Sequence, residues 1–155
     1  MVDVARMKML VFAGLILSLA ACSEEREASY ATRDDAERAG AIERGWIPPF
    51  VPKSARKISE QHNLDTNAQR LTFVVPPNEV RPMLAKITPQ NSLQGQLAQK
   101  ALVESGREDE DGQEVEVIVL CTRSNSSAVI ANHKTGLVTF LSPVEWARER
   151  CPRPH

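Results

Sequence analysis

Thiols, imidazoles and carboxylates are where this chain could do chemistry, and their spacing decides which chemistry that is. It has three cysteines, Cys22, Cys121 and Cys151, and three histidines, His62, His133 and His155. No two histidines share a helix turn and no Cys-x-x-Cys pair occurs, so zinc ligation and dithiol redox chemistry find no support. Asp109-Glu110-Asp111-Gly112 lacks the alternating ligands and closing glutamate of an EF-hand loop and reads as a solvated turn. No nucleophile elbow or phosphate-binding glycine loop is present. Ser54, His62 and Asp65 could be assembled into a hydrolytic trio, but nearly any chain offers such a set. The expectation is therefore a protein with no cofactor, no metal and no catalytic residues, and not an enzyme.

Cys22 stands apart because of what precedes it. Met9 to Ala21 is uncharged and apolar apart from Gly14 and Ser18, with Arg6 and Lys8 just ahead, which is the layout of a secretory signal. The run is too short to cross a hydrocarbon core of ~30 Å, which takes roughly 20 apolar residues, so residues 1–21 are expected to be removed. Leu19-Ala20-Ala21-Cys22 resembles the lipobox of bacterial lipoproteins. The resemblance implies cleavage before Cys22, a diacylglycerol on its thiol and an acylated new amino terminus. The alternative is a plain signal peptide whose Ala20-Ala21 happens to precede a cysteine. Each buried methylene contributes ~0.8 kcal/mol and two chains anchor stably where one does not, so the first expected partner is a membrane. Ser23 after the cysteine, by the sorting rule of enteric bacteria, implies the outer rather than the inner membrane, with the domain facing the periplasm. A second start at Met7 would open on Met7-Lys8.

The address fixes how the other two thiols are read. In an oxidising compartment the even pair Cys121 and Cys151 reads as a disulfide, and closing a loop of that length contributes about 3.6 kcal/mol in the chain-entropy treatment. The formal net charge of −1 and the lack of a basic stripe argue against nucleic acid as a partner.

These residues need elements to position them. The chain has 155 residues, 42% hydrophobic and 25% charged, ordinary for one domain. Three segments are expected: the signal over residues 1–21, the lipidated cysteine and a polar tether over 22–29 reaching about 25 Å at most, and one globular domain over 30–155. Thr32-Arg33-Asp34-Asp35 is a capping box that starts a helix predicted to run to about Arg44, stopped by Gly45. Trp46 to Pro52 carries three prolines and must be an extended apolar strap. Arg56 to His62, with Ile58 inward, and Arg70 to Val75, with Leu71, Phe73 and Val75 on one face, form a hairpin around Asn63 to Asn67. Glu79 to Ile87 reads as a short helix with Pro82 in or near its first turn, and Asn91 to Ser105 is helix-prone despite Gly95. Val115 to Cys121, Ser127 to Asn132 and Leu137 to Leu141 are strands, the last two joined by a turn ending at Gly136. Ser142-Pro143-Val144-Glu145 reads as a second capping box opening a helix to Arg150. The sum is an α+β fold, an antiparallel sheet of four or five strands with short helices packed on one face.

Gly45-Trp46-Ile47-Pro48, Pro52-Lys53-Ser54-Ala55, Ile58 and His62-Asn63-Leu64-Asp65-Thr66-Asn67 followed by Phe73 resemble the YbbD head domain of small bacterial lipoproteins. The likeness runs from Tyr30 to Val75. It implies the lipoprotein address and the fold, and carries no reaction. Trp46 reads either as a plug under the strap or as a platform for a ligand. Asp65, Thr66 and Asn67 read as turn-makers or, with Trp46, His62 and Arg70, as a contact surface beside the strap. The expected function is a membrane-anchored, non-catalytic interaction module with an envelope protein as partner. The alternatives are an immunity or inhibitor lipoprotein guarding against a periplasmic toxin or hydrolase, or a ligand-binding or hydrolytic envelope protein using a cleft beside His62 and Arg70.

Overall fold

Alternating apolar residues in the second half and a proline-rich strap in the first dictate a sheet with a cover laid over it. The computed structural model describes residues 24–87, 91–93, 96–121, 125–148 and 151; the signal and Cys22 lie outside them. Strands β1 (Glu25–Thr32), β2 (Arg56–Asn63), β3 (Gln69–Val74), β4 (Asn91–Leu93), β5 (Val115–Cys121), β6 (Ser126–Asn132) and β7 (Leu137–Ser142) form one sheet in the order β1-β2-β3-β7-β6-β5-β4. Every pairing is antiparallel. The α+β class with an antiparallel sheet holds, but six full strands and a three-residue edge segment replace the expected four or five.

The extra full strand is β1, where a polar tether was expected. Glu25 to Ser29 pair with Asn63 to Ser59 of β2. The segment looks like a tether because, as an edge strand with one solvated face, it exposes Glu25, Glu27 and Ser29 and only half-buries Ala28 and Tyr30. The polar half of that alternation hides the apolar half.

Helices differ from expectation mainly at their ends. The capping box forms as read: the Asp35 amide donates to Thr32 Oγ1 at 3.1 Å and the Thr32 amide to Asp35 Oδ2 at 3.0 Å. Helix α1 (Arg33–Arg38) nevertheless stops well before Arg44. Gly40, at φ +71°, turns the chain so that fully buried Ala41 enters the core, and left-handed backbone of that kind ends a helix. Helix α2 (Pro77–Leu84) starts earlier than expected and holds Pro82 in its interior. The single helix expected over Asn91–Ser105 is instead β4 followed by α3 (Gln96–Glu104). The second capping box does not form. Ser142 ends β7, and its hydroxyl accepts from Ser127 Oγ at 2.9 Å and from Asn125 Nδ2 at 3.1 Å, leaving α4 (Glu145–Arg148) to start without it.

Helices cover both faces of the sheet, not one. On the first face the strap, α1 and α2 bury Ile47, Val51, Val80 and Leu84 against Ile58, Leu71, Phe73, Val129, Val138 and Phe140. On the second, Ala101 and Leu102 of α3 and Trp146 of α4 pack on Val117, Val119, Ala128, Ile130 and Leu141. Strand β6 is consequently buried along its whole length, whereas β1 to β3 turn a polar face to solvent on the second side. A strand buried on both faces loses the alternation that marks a one-sided sheet, so the second layer was not legible from β6.

Two staples fix the second face. Cys121 at the end of β5 and Cys151 beyond α4 are joined by a disulfide, with Cα atoms 5.4 Å apart. Arg107, 8% exposed, meets Glu110 with its Nε and Nη2 and reaches the carbonyl of Ile130 at 3.1 Å and of Leu137 at 3.3 Å. Glu110 also accepts from Asn132 Nδ2 at 2.5 Å. Glu108, Asp109 and Asp111 of this loop are exposed, as a solvated turn requires, while Glu110 pins it, and the Arg107 guanidinium holds the Glu110 carboxyl below the usual carboxylate range despite partial burial.

Candidate functional site

Period two along β2 puts Ile58, Glu60 and His62 on the face that the strap covers, so a carboxylate and an imidazole enter the core. Glu60 is fully buried and His62 is 8% exposed. His62 Nδ1 lies 2.7 Å from Glu60 Oε1. Glu60 Oε2 and His62 Nε2 are buried with no hydrogen-bond partner. Burial pushes the Glu60 carboxyl above its ordinary range, and the hydrogen bond from His62 offsets this only in part.

Trp46 closes the pair off. Its ring lies 4.3 Å from the His62 ring at 32°, and the Arg44 guanidinium sits 4.1 Å above the indole, a favourable cation–π position. The Gln69 side-chain amide donates to the Trp46 carbonyl, which ties the strap's first residue to the start of β3. Trp46 therefore serves as a lid over the dyad, half-buried rather than a full core plug. A groove at the open end of β1 and β2 is lined by Arg26, Glu27, Ala28, Trp46, His62 and Leu64, and Leu64 is 52% exposed at its rim.

The five residues expected to share a contact surface are brought together only in part. Trp46 and His62 meet under the strap. Asp65 and Asn67 lie on the exposed β2–β3 turn, where Asn63 Oδ1 accepts from the amides of Asp65 at 3.1 Å and Thr66 at 2.9 Å, and Asn67 takes φ +54°. They are turn-makers. Arg70 sends its guanidinium to the other side, donating to the carbonyls of Ser105 at 3.0 Å and Glu104 at 2.8 Å, so it caps the C-terminus of α3. A shallow depression at the ends of β1 to β3 is still lined by both His62 and Arg70. The trio Ser54, His62 and Asp65 does not assemble, because Ser54 donates to Glu79 at 2.5 Å and His62 is turned to Glu60.

Sequence reading missed Glu60, Arg44 and Arg26. The signal for Glu60 was available: Ile58 was placed inward, and two residues on along a strand must point the same way. No group of three or more metal-ligating side chains occurs among the described residues. Among the same residues no helix is long and apolar enough to cross a membrane.

The fold thus defines an α+β protein built on an antiparallel sheet whose first three strands, first helix and strap form one unit around a buried carboxylate–imidazole pair. That unit is similar to the YbbD head domain, whose family model matches residues 24–74, from the residue before β1 to the last residue of β3. The match spans about a third of the chain. Neither curated proteins nor solved structures yield a match to this chain.

Proposed function

We propose that the chain is a lipid-anchored protein of the bacterial cell envelope, exposed to the periplasm, whose domain acts as a non-catalytic interaction module for an envelope protein. The observation that carries the reading is the apolar run ending in Leu19-Ala20-Ala21-Cys22, with strand β1 starting three residues later at Glu25. The Cys121–Cys151 disulfide supports an oxidising compartment. The Glu60–His62 pair supports a structural or recognition role over a catalytic one, since His62 Nε2 is buried and has no hydrogen-bond partner. Fatty-acid labelling of cells expressing the full chain tests the anchor: label on the wild type and none on Cys22→Ala is expected. Crosslinking in the same cells tests the module, and turnover of an envelope substrate by the purified protein with no protein captured would overturn it.

One observation favours a second reading, a ligand-binding or hydrolytic protein. A carboxylate that orients an imidazole through Nδ1 and leaves Nε2 unpartnered beside a groove is an arrangement suited to proton transfer. Exchange of His62 for Gln separates the two. Loss of phenotype with retained folding and retained partner crosslinks would favour the ligand site.

A further inference from the structure

The start of β1 lies at one end of the sheet, and that end is defined by register. Glu25 pairs with Asn63, His62 with Gln69, Gln69 with Ser142, and Cys121 with Ser126. The β2–β3 turn, the end of β7 and the Cys121–Cys151 disulfide therefore all lie at the end from which Cys22 departs. The opposite end holds the β6–β7 turn, His133 to Gly136, and the acidic loop Glu108 to Asp111, which is tied there by the bond from the His133 amide to the Glu114 carbonyl at 2.9 Å.

Little chain separates Cys22 from this end. The Leu64 amide donates to the Glu24 carbonyl at 3.1 Å, so strand-like pairing extends to Glu24 and leaves only Ser23 between it and the cysteine. At ~3.3 Å per extended residue the Cys22 Cα stays within about 10 Å of Glu25. Acyl chains fixed there hold the β2–β3 turn at the headgroup layer. The surface at that end has suitable chemistry. Leu64 is one of two large apolar side chains exposed among the described residues, and the groove it rims is lined by Trp46, Arg26 and Glu27, of which the aromatic and the basic residue are types that favour the membrane interface.

We propose that the domain stands end-on against the bilayer carrying its own anchor, with Leu64 and the β2–β3 turn seated in the headgroup layer and the acidic loop held outermost. This rests on acylation of Cys22. Strands of six to eight residues place the outer end roughly 20–25 Å further from the lipid.

The test uses the full-length acylated protein in phosphatidylethanolamine–phosphatidylglycerol vesicles, with an environment-sensitive fluorophore on Asp65→Cys or on Lys134→Cys. Both positions are exposed, and losing a surface ion pair costs little. With headgroup-nitroxide lipid added, quenching several-fold greater at position 65 than at 134 is expected, and Leu64→Asp should reduce it while the protein still floats with the vesicles. Floating protein with equal quenching at both sites overturns the orientation alone. Protein that does not float, with an unmodified Cys22 by mass, overturns the anchor and the orientation with it.

Discussion

Glu60 is the residue at which burial and charge conflict most directly. Its folded-state pKa is raised, so its protonated form is the one the fold favours. Such a group contributes stability that is fully present below its unfolded pKa and is lost as pH rises through the folded value. Ionising this buried carboxyl is a net cost to the fold. Glu60→Gln keeps an acceptor for His62 and removes the charge, so it should stabilise by about 1–2 kcal/mol at pH 7, with the gain shrinking toward zero below about pH 4.5. Thermal melts of both proteins at the two pH values check this, and an equal gain at both would contradict it. Gly136 is the counterpart in backbone. It sits at φ +74°, and a Cβ there would fall 1.9 Å from the Val75 carbonyl oxygen. Gly136→Ala should therefore destabilise by roughly 3 kcal/mol, combining left-handed strain with overpacking against backbone, and a urea midpoint near wild type would refute that. The need for glycine at this turn was legible in the sequence; the approach of β3's exit was not, because it depends on β3 pairing with β7.

At the scale of elements, local rules predicted what local physics decides. The Thr32 capping box, the β2–β3 hairpin around Asn63 to Asn67, and strands β5 to β7 follow from side-chain types at fixed offsets. Long-range packing decided the rest. Helix α1 stops early because Ala41 is needed in the core. Glu25 to Ser29 become a strand because β2 offers an edge. Ser142 is claimed by Ser127 before it can cap a helix. The candidate site divides in the same way: Trp46 beside His62 was within reach of the motif, whereas Arg70 capping α3 needed the distant chain. The head-domain segment illustrates the dependence. Its β3 lies against β7 and its Leu71 and Phe73 pack with Val138 and Phe140. A fragment ending at Val74 would expose that edge and that apolar face together. We expect residues 24–74 alone to aggregate or to lack a cooperative thermal transition, and a sharp two-state melt of the soluble fragment would show the head to be self-sufficient.

For the whole molecule, the sheet works as a post with distinct ends. One end gathers the chain's departure toward Cys22, the exposed Leu64 and the disulfide; the other gathers the acidic loop and the β6–β7 turn. On the proposed reading the anchor sets which end a partner meets, and the Arg107–Glu110 clamp keeps the acidic loop in one shape at the far end. Because Glu110 has a lowered pKa, its contribution is present above the ordinary carboxylate range and is lost as pH falls through the folded value. Acidification should therefore loosen the outer end, seen as lowered amide-exchange protection factors of Asn132 and Lys134 below about pH 4; unchanged protection there would contradict the clamp. The central claim remains the anchor at Cys22, and the intact mass of the protein extracted from bacterial envelopes tests it most directly. The expected result is a chain beginning at Cys22 and carrying acyl groups on that residue, with Cys22→Ala keeping its leading segment. A wild-type mass equal to the unprocessed, unmodified 155-residue polypeptide would contradict it.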